Sequence, residues 1–356
     1  MKISEFTYDL PERLIAQTPA ERRGGDRLLV IDKHTGEYKD SMFSEFTNYV
    51  DDNSLIVIND TRVRKARVYG LSETGGKVEF LFTGSCGSPK DGKSYWQAMV
   101  SKSRKQKVGK SYSFFDNNGN LYCHGSISSD VDDHDTGSSL KIVEFDQIID
   151  ENFFLECGHV PLPPYIKRED DFNDENRYQT VYAKNYGSMA APTAGLHFTT
   201  DTLKELQERG IEIVHVTLQV GMGTFLPVRT ENLEDHVMHT EAYMVSEEAA
   251  EKINKAKKEG KKIIAIGTTS VRTLESAYDE STKSVKAGSS ETALFIKPGF
   301  EFHVVDQLVT NFHTPESTLL VLVSAFAGRE NVLNAYKHAV EKEYRFFSYG
   351  DATFFI

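Results

Sequence analysis

The sequence predicts a mixed α/β fold: a large α/β domain with a small antiparallel β-barrel inserted in it. Three observations carry this. Beyond about residue 200, apolar strand-like runs alternate with helical patterns, as in α/β layers. Between Val68 and about Phe145 the pattern changes to short alternating runs separated by turn residues, as in a small barrel. The chain has 356 residues, which suits two domains at roughly 100–200 residues each. The predicted organisation is therefore discontinuous, with 1–65 plus 151–356 forming the α/β domain and 66–150 the insert.

Taken in order, Leu10 to Ala16 reads as a short helix with Pro11 in its first turn. Arg27 to Ile31 and Ser54 to Ile58 read as strands. The second ends in Asn59-Asp60-Thr61-Arg62, polar residues at a strand terminus, where open α/β sheets place ligands; a local turn with an ion pair is the plain alternative. The insert shows four strand-like runs, 77–82, 95–100, 112–115 and 141–145, divided by Gly75-Gly76, by 89–92 and by 116–120. Asp130 to Asp135 holds four acids and is expected to be a hairpin tip. Two basic clusters frame the insert: Arg62, Arg64, Lys65 and Arg67, then Lys102, Arg104, Lys105, Lys107 and Lys110. Either could face phosphates or simply water. Pro161 to Tyr165 is a stiff extended return, and Arg168 to Glu175 an expected surface loop. Tyr178 and Tyr182, four apart, fit one helix face, for packing or for stacking on a base.

The second half opens on Ala190-Ala-Pro-Thr-Ala-Gly-Leu-His-Phe198. This stretch is small and nearly uncharged. Pro192 fixes φ, Gly195 permits unusual backbone, and His197 is its only titratable side chain. It lets a backbone approach a flat ligand and aims one imidazole at it; a tight connection is the bland alternative. A run of N-cap formers from Thr199 then feeds a helix over 203–209. Strands are expected at 211–218, 262–266 and 304–309. Helices are expected at 247–259, capped by Ser246, from Val271, and from Glu316 to Ala327, with Thr314 as cap and Pro315 at its first position.

Composition excludes several classes. A net charge of −12 argues against whole-surface nucleic-acid binding, though not against a local basic patch. No apolar run approaches the ~20 residues of a membrane helix, and no signal peptide is apparent. Cys86, Cys123 and Cys157 show no metal spacing, which suits a reducing, cytoplasmic setting. No metal is expected. His236-Val-Met-His239-Thr-Glu241 has no helical i,i+4 ligand pair. Phosphate-loop, dinucleotide-binding and nucleophile-elbow motifs are absent.

Chemistry is expected where strands break into polar bends: Gly221-Met-Gly223-Thr, Gly267-Thr268-Thr269-Ser, and Asn311-Phe-His313-Thr-Pro. With the 190–198 stretch, these could converge as a pocket of N–H and hydroxyl groups for a carboxylate, ribose or base edge. His197, His236, His239 and His313 are the side chains best suited to proton transfer. Arg272 could grip a carboxylate bidentately, or pair with Glu275 on its own helix.

Long motifs across nearly the whole chain resemble the S-adenosylmethionine:tRNA ribosyltransferase-isomerases of queuosine biosynthesis. They are Asn59 to Val63, Pro161 to Ile166, Tyr178 to Ala183, Ala190 to Phe198, Gly267 to Glu275 and Tyr344 to Asp351. Gln219 departs from the pattern, standing where a His is usual; Thr314 and Thr353-Phe354-Phe355 depart too. The resemblance implies a two-domain fold with an inserted barrel. It also implies that the ribosyl part of S-adenosylmethionine, a substrate rather than a prosthetic group, moves to 7-aminomethyl-7-deazaguanine at the tRNA wobble position. Isomerisation gives epoxyqueuosine, and adenine and methionine leave. Side-chain chemistry placed on these motifs assigns proton transfer to His197 and His313, with His239 and Glu241 as alternates. Arg272 is assigned the methionine carboxylate. Asp60 is assigned the incoming ammonium or the ribose hydroxyls, and Tyr178 a base. Arg62, Thr193, Gly195, Gly223, Thr268, Thr269 and Asn311 complete the expected substrate contacts. Arg64, Lys65, Lys102, Arg104, Lys105 and Lys107 are expected to touch tRNA. A monomer is expected, since nothing in the sequence compels assembly. The rivals are an RNA methyltransferase, which should carry a Gly-rich loop after its first strand, a non-catalytic RNA-binding module and a zinc hydrolase.

Overall fold

Residues 1–133, 138–221 and 230–356 are described by the computed structural model. Before the insert the chain forms β1 (Arg27–Ile31), β2 (Tyr38–Met42), β3 (Ser54–Asn59) and β4 (Thr61–Val63). The insert holds β5 (Arg67–Ser72), β6 (Lys77–Ser85), β7 (Ser94–Val100), β8 (Ser111–Phe115), β9 (Leu121–Asp133) and β10 (Ser138–Phe145). Then come α1 (Glu151–Cys157), β11 (Gly158–His159), α2 (Phe172–Arg177), β12 (Asn185–Ser188), α3 (Thr200–Glu208), β13 (Glu212–Leu218), β14 (Glu241–Val245), α4 (Glu247–Lys258), β15 (Lys262–Ile266) and α5 (Thr268–Ala277). The remainder is β16 (Tyr278–Asp279), β17 (Ser284–Val285), β18 (Gly288–Thr292), β19 (Gln307–Asn311), α6 (Thr318–Ala327), α7 (Arg329–Glu341) and β20 (Ala352–Phe355).

The large sheet runs β18-β14-β13-β3-β15-β19-β20-β1-β2. Its centre, β13, β3, β15 and β19, is parallel. Every residue of β3 is buried, and alternation sends its side chains to two different cores. Leu55 and Val57 join Ile263, Ala265, Val271, Leu274 and the apolar residues of α6 and α7. Ile56 and Ile58 join Ile264, Ile266, Phe43, Phe46, Phe198 and Leu206 on the other face. Layers on both faces leave the strand ends as the open place for a ligand.

The insert closes on itself: β5-β6-β7-β10-β9-β8 form a ring through the β5–β8 pairing, an antiparallel barrel. Phe80, Phe82, Trp96, Tyr112, Phe114 and Phe145 fill it, and Phe153 and Phe154 of α1 plug it. Two of these strands, β5 and β9, were not among the four expected runs. The central part of β9, His-Gly-Ser-Ile-Ser-Ser-Asp, has little apolar alternation and takes its extended form from pairing on both edges. The expected tip at 130–135 is strand through Asp133; part of it, including Asp135, lies outside the described residues.

Other expectations shift at element ends. The Leu10 to Ala16 helix is a single 3-10 turn, Glu12–Leu14. The expected loop before Tyr178 contains α2, because Asp171 caps Asn173 and Asp174 while Asp174 holds Arg168 at 2.6 and 2.8 Å. Tyr178 ends α2 and Tyr182 lies beyond it, so the two share no helix face. β19 starts at Gln307 instead of Val304, because the amides of Val304 and Val305 are bound to Glu275. α6 starts at Thr318, capped by Ser317 rather than Thr314. No helix among the described residues is long and apolar enough to cross a membrane.

Candidate active site

A cavity of about 350 Å³ opens where four segments meet. Ala190 to Ala194 supply one wall, Gly267 to Thr269 a second, and Thr310 to Ser317 a third; Tyr165, Phe347 and Ser348 close it. The second wall exists because Gly267, at φ +88°, turns β15 directly into α5 in a conformation that favours glycine. α5 has no side-chain cap, since Gly267 stands at its N-cap. Its first amides and the Thr268 and Thr269 hydroxyls are thus presented beside the cavity with the positive end of the helix dipole.

The third wall carries the polar groups. His313 is anchored by its backbone: Tyr8 donates to its carbonyl at 2.5 Å, and its amide donates to Tyr336 at 3.2 Å. Its Nε2 is 3.1 Å from the Thr310 hydroxyl. Burial pushes its pKa down to about 3, so the ring is neutral at working pH. Asn311 is 2 % exposed and donates from Nδ2 to the Phe347 carbonyl and to His197 Nε2, both at 3.1 Å. Its Oδ1 has no partner among the described residues. Tyr165 and Ser348 hydroxyls lie 2.5 Å apart, and burial pushes the tyrosine pKa up.

Of the expected substrate and catalytic residues, the cavity gathers Thr193, Thr268, Thr269, Asn311 and His313. The others are elsewhere. His197 sits behind Asn311, 2 % exposed, its Nδ1 2.8 Å from Asp26 Oδ2 and its ring 5.1 Å from that of Phe43. It lines no part of the cavity, so the imidazole expected to point at the ligand points into the protein. Gly195 is also behind the wall; a β-carbon there would overlap the Tyr182 hydroxyl. Arg272 is buried and paired with Glu241, and its Nε donates to the Leu294 carbonyl. The two residues expected to serve a carboxylate and a proton thus neutralise each other. Nor does Arg272 pair with Glu275, whose carboxylate instead caps the backbone at 303–305. His239 is absent from the cavity lining. Gly223, with Met222 and Thr224, lies outside the described residues.

Asp60 is buried and accepts from Thr217 at 2.7 Å and Asn185 at 3.0 Å. Arg62 is exposed over the Tyr186 ring. Tyr178 is fully buried against Tyr349, which leaves no open face for a base. Gln219, expected to depart from the family pattern, accepts from the Thr61 hydroxyl at 2.8 Å and donates to the Tyr186 carbonyl, away from the cavity. Sequence reasoning missed Tyr165, Phe347, Ser348 and Glu316 as lining residues. The first three lie inside motifs that carry the family resemblance, which was the available signal. No group of three or more His, Cys, Asp or Glu among the described residues could hold a metal ion.

The basic residues divide. Arg64 forms a bidentate ion pair with Glu151 under the Trp96 and Phe154 rings, and Lys65 binds Glu175 at 2.6 Å. Both fasten the barrel's root and are occupied. Lys102, Arg104, Lys105 and Lys107, on the β7–β8 connection, are exposed and form no ion pair among the described residues.

The model of the queuosine biosynthesis protein family matches residues 3–355. The chain is 51 % identical over 352 residues to the S-adenosylmethionine:tRNA ribosyltransferase-isomerase of Treponema denticola, covering 99 % of each. It is 49 % identical over 353 residues to that of Clostridioides difficile, again covering 99 % of each. The crystal structure of the S-adenosylmethionine tRNA ribosyltransferase of Thermotoga maritima aligns over 99 % of this chain and 100 % of that one, at 30 % identity and a TM-score of 0.53. The chain belongs to the queuosine biosynthesis family of transferases, the S-adenosylmethionine:tRNA ribosyltransferase-isomerases.

Proposed function

We propose that this enzyme transfers the ribosyl moiety of S-adenosylmethionine to 7-aminomethyl-7-deazaguanine at the tRNA wobble position and isomerises it, giving epoxyqueuosine in tRNA, adenine and methionine. The observation that carries the reading is the cavity itself. Its walls are mostly small and apolar, set with the polar groups of Thr193, Thr268, Thr310, Asn311 and His313, its volume of about 350 Å³ suits a nucleoside-sized ligand, and no lysine or arginine among the described residues lines it. Such a site suits a sulfonium, which a lysine or arginine would repel.

The first step removes a proton from C5′ beside the sulfonium; the electron pair left there forms a C4′–C5′ double bond as the C4′–O4′ bond breaks, O4′ forms a carbonyl with C1′ as the bond to adenine breaks, and adenine leaves with a proton. His313 is the assigned base: its ring is neutral, and it lines the cavity beside the Thr310 hydroxyl. The methionine carboxylate is assigned to the uncapped start of α5 with the Thr268 and Thr269 hydroxyls, because Glu241 already occupies Arg272. The exposed cluster Lys102, Arg104, Lys105 and Lys107 is assigned to the tRNA backbone. Residues 66–150 are taken as the inserted unit and 1–65 plus 151–356 as the catalytic one. The free state of Cys86, Cys123 and Cys157 supports a cytoplasmic enzyme, and a monomer suffices because one chain supplies the whole cavity.

The test is adenine release from S-adenosylmethionine, with and without tRNA carrying the aminomethyl-deazaguanine base. Release that depends on that tRNA is expected. S-adenosylhomocysteine in place of adenine would make the enzyme a methyltransferase and overturn the reading.

A further inference from the structure

Asn311 is held in one orientation from behind. The Phe347 carbonyl can only accept, so the atom beside it must be Nδ2. The same Nδ2 faces His197 Nε2, which must therefore be the ring's acceptor, with the ring proton on Nδ1 directed at Asp26. Arg345 donates to the other Asp26 oxygen at 2.9 Å and fixes that carboxylate in turn. The Phe347 carbonyl and the chain Arg345–Asp26–His197 thus take the two amide hydrogens of Asn311 and leave Oδ1 as a buried acceptor with no partner among the described residues. A buried acceptor left unpaired is costly, and a ligand that donates to it recovers that cost. Asn311 lines the cavity next to Phe347 and Phe312, and the Tyr165 ring lies 4.6 Å from that of Phe347. An N–H donor on a flat aromatic group fits a wall of that composition better than an ammonium does.

We propose that Asn311 Oδ1 reads the exocyclic 6-amino group of the purine of S-adenosylmethionine, the orientation of the amide being fixed by the Phe347 carbonyl and His197. The inference rests on the cavity being the S-adenosylmethionine site.

The experiment compares binding of S-adenosylmethionine with that of its 6-oxo analogue, S-inosylmethionine, to the wild-type enzyme by calorimetry. The analogue replaces the donor by an acceptor and is expected to bind about tenfold or more weakly. Asn311→Leu, which removes the acceptor, should bring the two affinities together. Equal wild-type affinities, or a preference that survives in Asn311→Leu, would overturn the assignment while leaving the site in place. The site itself is tested separately by Thr193→Trp, which fills the cavity. If S-adenosylmethionine binds that variant as well as wild type, the cavity reading and this inference fail together. The ligand comparison needs no variant to fold, and thermal unfolding of each variant accompanies the binding.

Discussion

The two histidine loops, 190–198 and 311–315, look alike in sequence and differ in kind. Each carries one imidazole in a small, polar bend, and each imidazole is almost fully buried. His197 has a carboxylate on one side and an amide on the other. Burial alone would raise the Asp26 pKa, but the His197 ring and the Arg345 guanidinium outweigh it and hold the carboxyl below its usual range. His313 forms no ion pair among the described residues, so burial acts on it unopposed. An imidazole clamped at both nitrogens is a strut. One held by its backbone, with its ring on a cavity, can exchange a proton with a ligand. Residue type and loop chemistry do not separate these cases; the aspartate 171 residues away does.

Substitution should separate the two sharply. His313→Leu is expected to lower turnover by about 10²–10⁴ while S-adenosylmethionine affinity moves only a few-fold, read by single-turnover kinetics and calorimetry. His197→Leu strands Asp26 and the Asn311 amide, and is expected to cost about 2–4 kcal/mol of stability, read by urea unfolding. Full stability with lost chemistry in His197→Leu would reverse the comparison. The buried Arg272–Glu241 pair behaves as the strut does. Arg272→Met leaves a carboxylate buried without its cation and should cost about 3–5 kcal/mol in the same assay. Wild-type stability with a raised KM for S-adenosylmethionine would return Arg272 to the substrate.

A pH-dependent effect follows from the His313 pKa. The folded value is about 3 and the unfolded value the ordinary 6.5, so between those pH values the unfolded chain binds a proton that the folded one does not. Stability from this group is complete above pH 6.5 and falls as the pH drops toward 3, by up to about 1.4 kcal/mol per pH unit. His313→Leu should flatten that acid limb, and an unchanged slope of unfolding free energy against pH would show that the ring is not buried neutral.

Much of this was legible in the chain. The β3 and β15 runs are apolar almost throughout because both faces are covered, and the strand-end loops around Gly267 and Asn311 announce a pocket by their polarity. Less legible was whatever depends on partners distant in sequence. Arg272 lies three residues from Glu275, yet its charge is met by Glu241, and Glu275 turns to backbone amides. Tyr178 reads equally well as stacking platform or packing until Tyr349 covers it. Strand β9 reads as polar because its order comes from neighbours on both edges. In each case a local pattern met a nonlocal partner, and the partner decided.

The basic clusters give the same lesson at the lowest energy. In the first, acids distant in sequence capture Arg64 and Lys65 at the barrel's root, where Arg64 also stacks on two rings. In the second, Lys105 and Lys107 stand on an exposed connection without acids. Lys105→Glu with Lys107→Glu should raise the KM for tRNA about tenfold at low salt and reduce the salt slope of binding by roughly one for each phosphate no longer neutralised. The KM for S-adenosylmethionine and the unfolding midpoint should stay at wild-type values. Arg64→Glu should instead lower the unfolding midpoint, because it sets two carboxylates against each other beneath the barrel. A tRNA KM unmoved by the double reversal would remove the β7–β8 connection from the RNA surface, since these lysines have no ion-pair partner among the described residues for a structural role to rest on.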